Sequence, residues 1–112
     1  MTRGFSRIDR VSAQLRREMG RIVHEAVRDH ALPSVSVSDV EVSRDLAHAN
    51  VYVTALQSER AHEAVAALKA MARELRHELA RAVRLRTVPE LHFRYDDSVD
   101  RGERIERLLR DG

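Results

Sequence analysis

From Ser6 to about Asp29, apolar side chains recur at three- and four-residue steps: Ile8, Val11, Leu15, Met19, Ile22, Val23 and Ala26. At about 100° per residue these seven positions share an arc of roughly 120°, which predicts an amphipathic helix. Ser6 supplies a capping hydroxyl and Asp9 an acid in the first turn, while Pro33 restricts the residue before it and ends the segment. The pattern then changes to alternation. Val35 to Val42 is rich in β-branched residues, but the apolar parity switches near Asp39, which points to a bulge or a two-sided strand. Asn50 to Leu56 predicts a second strand, and the polar stretch Ser43 to His48 between the two predicts an antiparallel pair.

A second helical phase begins at Ser58. Ala61, Ala64, Val65, Leu68, Met71, Ala72, Leu75, Leu79, Ala82 and Val83 fall within one arc of roughly 120°, unbroken until Thr87-Val88-Pro89. Either one long helix or two helices in phase satisfy this pattern. The continuity favours helix from Ser58 to Arg84 with at most a mild bend. Leu91-His92-Phe93-Arg94-Tyr95 predicts a third strand. Residues 97–112 are expected to be a mobile tail or a short helix with Ile105, Leu108 and Leu109 on its apolar side. The order is helix, strand, strand, helix or helix pair, strand. This is an α+β architecture with helices on one face of a three-stranded sheet. Val11, Leu15, Ile22, Val51, Val53, Leu68, Leu75, Leu79 and Phe93 are the expected core.

At 112 residues the chain is expected to form a single domain over residues 1–112. The absence of cysteine removes disulfides and thiolate metal sites. The arginine-bearing N-terminus has no signal-peptide pattern, and no apolar run is long enough to span a bilayer, so a cytoplasmic protein is expected.

The net charge of +2 says little until it is divided along the chain. Residues 1–31 and 61–86 carry +3 each, and residues 32–60 and 87–112 carry −2 each. The positive charge therefore lies on the two helical segments. On the first, Arg7, Arg10, Arg17, Arg21 and Arg28 occupy an arc of about 80° nearly opposite the apolar face, with Glu25 as the one acid at its edge. On the second, Lys69, Arg73, Arg76, Arg81 and Arg84 share a polar arc, and Arg86 follows just past it. Arginine presents a planar fork of donors that suits phosphate, so these eleven residues are the candidate RNA-binding set. An ordinary solvated helix face is the competing explanation, although such a face usually mixes signs. With two Phe, two Tyr and no Trp, base stacking cannot dominate, which favours structured RNA over a single strand.

Enzymatic patterns are weak. The six histidines show no metal-ligand spacing, and no phosphate-cradling glycine loop exists. Asp96, Asp97 and Asp100 read as a turn rather than a cation site, so neither a metal nor a cofactor is expected.

Three segments together resemble a known family. Val40-Glu41-Val42-Ser43-Arg44-Asp45-Leu46 with Ala49-Asn50-Val51-Tyr52-Val53 resembles the paired-strand motif of ribosome-binding factor A. Leu75-Arg76, then Leu85-Arg86-Thr87-Val88-Pro89-Glu90-Leu91-His92-Phe93 and Asp96-Asp97-Ser98, is similar to that family's C-terminal motif, and Arg7 to Val11 with Leu15 and Glu18 to its first helix. The resemblance covers nearly the whole chain. It implies a KH-like fold of the second type, order α-β-β-α-α-β. It also implies a non-catalytic, monomeric maturation factor for the small (30S) ribosomal subunit and its 16S rRNA, tied to late assembly, rRNA processing and growth in the cold. No Gly-x-x-Gly loop is present. The glycine that usually closes the family's kink between its second and third helices falls on Arg73, which argues for a mild bend there. An Arg-rich DNA-binding or protein-interaction module is the alternative function.

Overall fold

The computed structural model describes residues 6–97. It contains α1 (Arg7–Asp29), β1 (Val35–Val42), β2 (His48–Ala55), a 3₁₀ turn (Ser58–Arg60), α2 (Ala61–Ala70), α3 (Ala72–Ala82) and β3 (Glu90–Tyr95). The strands lie in the order β1-β2-β3. β1 and β2 are antiparallel, whereas β2 and β3 are parallel and are joined by the α2–α3 crossover.

Each element begins and ends for a local reason. Ser6 Oγ accepts from Asp9 N–H and Asp9 accepts from Ser6 N–H, a reciprocal cap on α1. Its C-terminus closes with Leu32 N–H donating to Val27 C=O at 3.0 Å around Ala31 at φ 52°. That position ordinarily takes glycine, because a Cβ is disfavoured in the left-handed region. Ala31→Gly is therefore expected to stabilise the fold by about 0.5–1 kcal/mol, the strain relieved less the unfolded-state entropy. Urea denaturation would measure it, and a destabilised variant would contradict it.

The pairing of β1 with β2 shifts register between Val37 and Asp39, so the parity change in the sequence is a bulge. The intervening turn is built by Ser43, whose hydroxyl donates to Asp45 Oδ1 and accepts from His48 N–H. Asp45 also accepts from Ala47 N–H. These bonds, Ser43 first and Ala47 second, hold the exposed Asp45 carboxyl below its ordinary range, so it stays ionised through weakly acidic conditions.

The second helical phase is two helices. Met71, at φ −98° and ψ 3°, is at once the end of α2 and the start of α3. Its N–H is shared among the carbonyls of Ala67, Leu68 and Lys69, while Leu75 N–H still reaches Met71 C=O at 2.9 Å. The ladder crosses the interruption, which is why the apolar phase survives. Of the two patterns that satisfied the periodicity, two helices in phase is the one found, and a single helix from Ser58 to Arg84 is corrected. The turn sits two residues before Arg73 and uses a negative φ open to any L-residue, so no glycine is needed. The ends are corrected as well. Ser58–Arg60 is 3₁₀, α3 stops at Ala82, and Val83 is extended, so Arg84 and Arg86 lie beyond the helix.

All nine expected core residues are buried, and they belong to one apolar cluster between the helices and one face of the sheet. Ala49, Val51, Val53, Leu91 and Phe93 point inward. The alternate residues of β2 and β3, among them His48, Asn50, Tyr52, Glu90, His92 and Arg94, lie on the face without helices. The terminal helix expected near Ile105 lies outside the described residues.

Candidate nucleic-acid interface

β3 is an edge strand, and α2 and α3 both pack against it. The crossover therefore leaves a groove between the outer margin of β3 and the α2–α3 corner. Lys69, Arg73 and Arg76 line one stretch of it beside Glu90 and Leu91. Lys69 continues into the next stretch, with Ala72 opposite the consecutive residues Leu91 to Arg94. Farther along, the buried Val65 and Phe93 lie beneath a hollow bordered by His62, Lys69, Arg94 and Tyr95. Three cations from the candidate set, Lys69, Arg73 and Arg76, converge here, and Glu90 is the one carboxylate among the described residues lining it.

The cations are not equivalent. Lys69 and Arg73 are exposed. Arg76 donates to Val88 C=O through Nη2 at 2.7 Å and Nε at 3.2 Å, fastening the loop before Pro89 to α3. Part of its fork is therefore structural. Arg76→Ala is expected to cost about 0.5–1.5 kcal/mol, in the range of one intramolecular hydrogen bond. Thermal denaturation checks this, and an unchanged midpoint would mean that the bond to Val88 carries no weight. Arg94 borders the groove through its place on the edge strand, but its Nε–H donates to Asn50 Oδ1 at 3.0 Å on the face of the sheet without helices.

The α1 stripe is dispersed by comparison. Arg10 and Arg17 are exposed on the outer side of α1, away from its buried face. Arg21 is clamped by Glu18 at 3.2 Å and Glu25 at 3.3 Å, on either side along the helix. Its pKa is raised, first by the Glu18 hydrogen bond and also by Glu25. A second acid, Glu18, thus reaches the stripe from beside it, and Arg21 is a paired side chain rather than an open donor fork. Arg28 pairs with Asp29 at 3.4 Å. Arg7 meets Arg86 in a separate concavity that also contains Asp45 and Thr87. Arg81 and Arg84 are exposed and line neither hollow.

The element order, the mixed three-stranded sheet and the helix–turn–helix crossover define a KH-like α+β domain of the second type. The family model described as "Ribosome-binding factor A" matches residues 7–109, and the chain belongs to that family. Ribosome-binding factor A of Xanthomonas euvesicatoria pv. vesicatoria is 73% identical over 110 residues, spanning 98% of this chain and 85% of that protein. The Xylella fastidiosa protein of the same name is 68% identical over 109 residues, spanning 97% of this chain and 87% of its own length. The crystal structure of ribosome-binding factor A from Thermus thermophilus has a TM-score of 0.65 at 30% identity, covering 80% of this chain and 97% of that chain. A homology model of the Thermus thermophilus factor, as fitted into a cryo-EM map of its 30S complex, has a TM-score of 0.56 at 31% identity, covering 72% of this chain and 90% of that chain.

Proposed function

We propose that this chain is a non-catalytic maturation factor that binds the small (30S) ribosomal subunit through phosphates of its 16S rRNA. It acts late in assembly and rRNA processing, in the cytoplasm, as a monomer and without a cofactor, and supports growth in the cold. The carrying observation is the groove at the edge of β3, where Lys69, Arg73 and Arg76 come together from two helices with one carboxylate, Glu90, among them. Clustered cations on a rigid frame displace condensed counterions from a nucleic-acid backbone. Family membership and the fitted 30S coordinates of the Thermus thermophilus relative support the choice of partner. Arg10 and Arg17 on the outer side of α1, and Arg7 with Arg86, are secondary contacts for the same phosphate-rich surface.

The test is co-sedimentation with free small subunits, complete ribosomes and duplex DNA across a salt series. Association with free small subunits, weak association with complete ribosomes, and steep loss with salt are expected. Equal affinity for duplex DNA would favour the DNA-binding alternative. Binding to subunits that ignores salt would favour a protein contact.

A further inference from the structure

The face of the sheet without helices brings together three side chains that the sequence scatters. His48 opens β2, and Glu90 is its Cα partner at the start of β3. His92 follows two residues later, so its side chain leaves the same face. His48 Nδ1 and His92 Nε2 lie 3.0 Å apart, with ring centroids 5.1 Å apart. One ligand atom from each of His48, Glu90 and His92 falls within 4.8 Å of the others.

We propose that His48, Glu90 and His92 form a binding site for one divalent transition-metal ion of borderline softness, such as Zn²⁺ or Ni²⁺. The chemistry is that of the donors: two imidazole nitrogens and a carboxylate suit this class of ion, whereas Mg²⁺ prefers oxygen ligands. The spacing fits as well. Two nitrogens each about 2.0–2.1 Å from a tetrahedral ion stand about 3.3 Å apart, within a few tenths of an ångström of the observed separation. The imidazole pair needs only a small spreading and the loss of its mutual hydrogen bond, and a rotamer change brings in the carboxylate. The backbones that carry the ligands are fixed by the parallel β2–β3 ladder, so the site is largely pre-organised. His48 and Glu90 are exposed and His92 is half-buried, which leaves an entry path and room for water in the remaining coordination position. Arg94, further along this face, directs its guanidinium to Asn50 Oδ1. The ion would clasp β2 to β3 across the start of both strands.

Calorimetric titration of the full chain with Zn²⁺, Ni²⁺ and Mg²⁺ tests this, with the thermal midpoint followed in parallel. One Zn²⁺ or Ni²⁺ per chain is expected, with a rise in midpoint, and no saturable Mg²⁺ binding. His48→Asn and His92→Asn should each weaken Zn²⁺ binding by about tenfold or more, since even outer-sphere partners cost that much. Glu90→Gln should weaken it less, and the exposed, distant His62→Asn not at all. Far-ultraviolet circular dichroism of the metal-free variants establishes that each is folded. Absence of saturable binding up to millimolar Zn²⁺ would overturn the proposal, as would binding that persists undiminished in the folded His48 and His92 variants. In either case the two imidazoles are simply a hydrogen-bonded surface pair.

Discussion

Reversing Lys69 and Arg73 to glutamate together is expected to lower affinity for free small subunits by about tenfold or more at moderate salt. Both side chains are exposed, line the groove at the edge of β3, and lie apart from the buried face of their helices. The double reversal removes two donors and adds two charges that repel phosphate. If each cation displaces counterions at one phosphate, the slope of log affinity against log salt should flatten by about one for each phosphate that is no longer neutralised. Arg21→Glu is the internal comparison. Its guanidinium already spans Glu18 and Glu25, so its loss should change affinity by no more than about two- to threefold, as expected of an exposed, self-compensated pair. Arg10→Glu with Arg17→Glu reports on the outer side of α1 and should fall between these limits if that side touches RNA. Equal effects at Arg21 and in the groove would mean that net charge, not the groove, governs binding. No effect of Lys69 and Arg73 reversal in a folded variant would remove the groove from the interface.

The elements and the core could be read from the chain because burial imposes a period. Val11 to Ala26, Ala64 to Leu79, and Leu91 with Phe93 each repeat at the spacing that turns one side inward. The bulge at Val37–Asp39 showed itself as a parity change for the same reason. The functional surface was less legible, because it depends on what neighbours a charge in three dimensions. Glu18 sits about 60° around α1 from Arg21, outside the stripe drawn on a wheel, yet a residue three positions away is within reach of a long side chain. Arg76 looked like a free cation because its partner is a backbone carbonyl twelve residues on. His48 and His92 are 44 residues apart and meet only through the β2–β3 register, so no local spacing rule applies to them. The turn at Met71 left no trace in the periodicity, since the hydrogen-bond ladder continues through it.

Phe93→Ala is expected to destabilise the fold by about 3–5 kcal/mol, the usual range for truncating a buried aromatic. That is a large share of the roughly 5–15 kcal/mol available to a domain of this size. Phe93 is 1% exposed, pairs with the fully buried Val51 across the parallel ladder, and belongs to the cluster that includes Leu68, Leu75 and Leu79. Its loss opens a cavity at the seam between the α2–α3 corner and the sheet, where the helices have little freedom to collapse without dragging β3. Phe93 also lies beneath the groove beside Val65 and Lys69, so the position couples stability to the shape of the candidate interface. Phe93→Leu keeps most of the volume and should cost less than about 1.5 kcal/mol while leaving subunit binding near the parent level. Leu75→Ala, on α3 and outside the groove lining, should cost about 2–5 kcal/mol and affect binding only through the folded fraction. Urea denaturation of all three variants measures the costs. His92→Ala is the control, because His92 points to the opposite face from Phe93. A cost below about 1 kcal/mol at Phe93 with a larger one at His92 would mean that β3 turns its other face to the helices. Both the groove and the His48–Glu90–His92 cluster would then have to be redrawn.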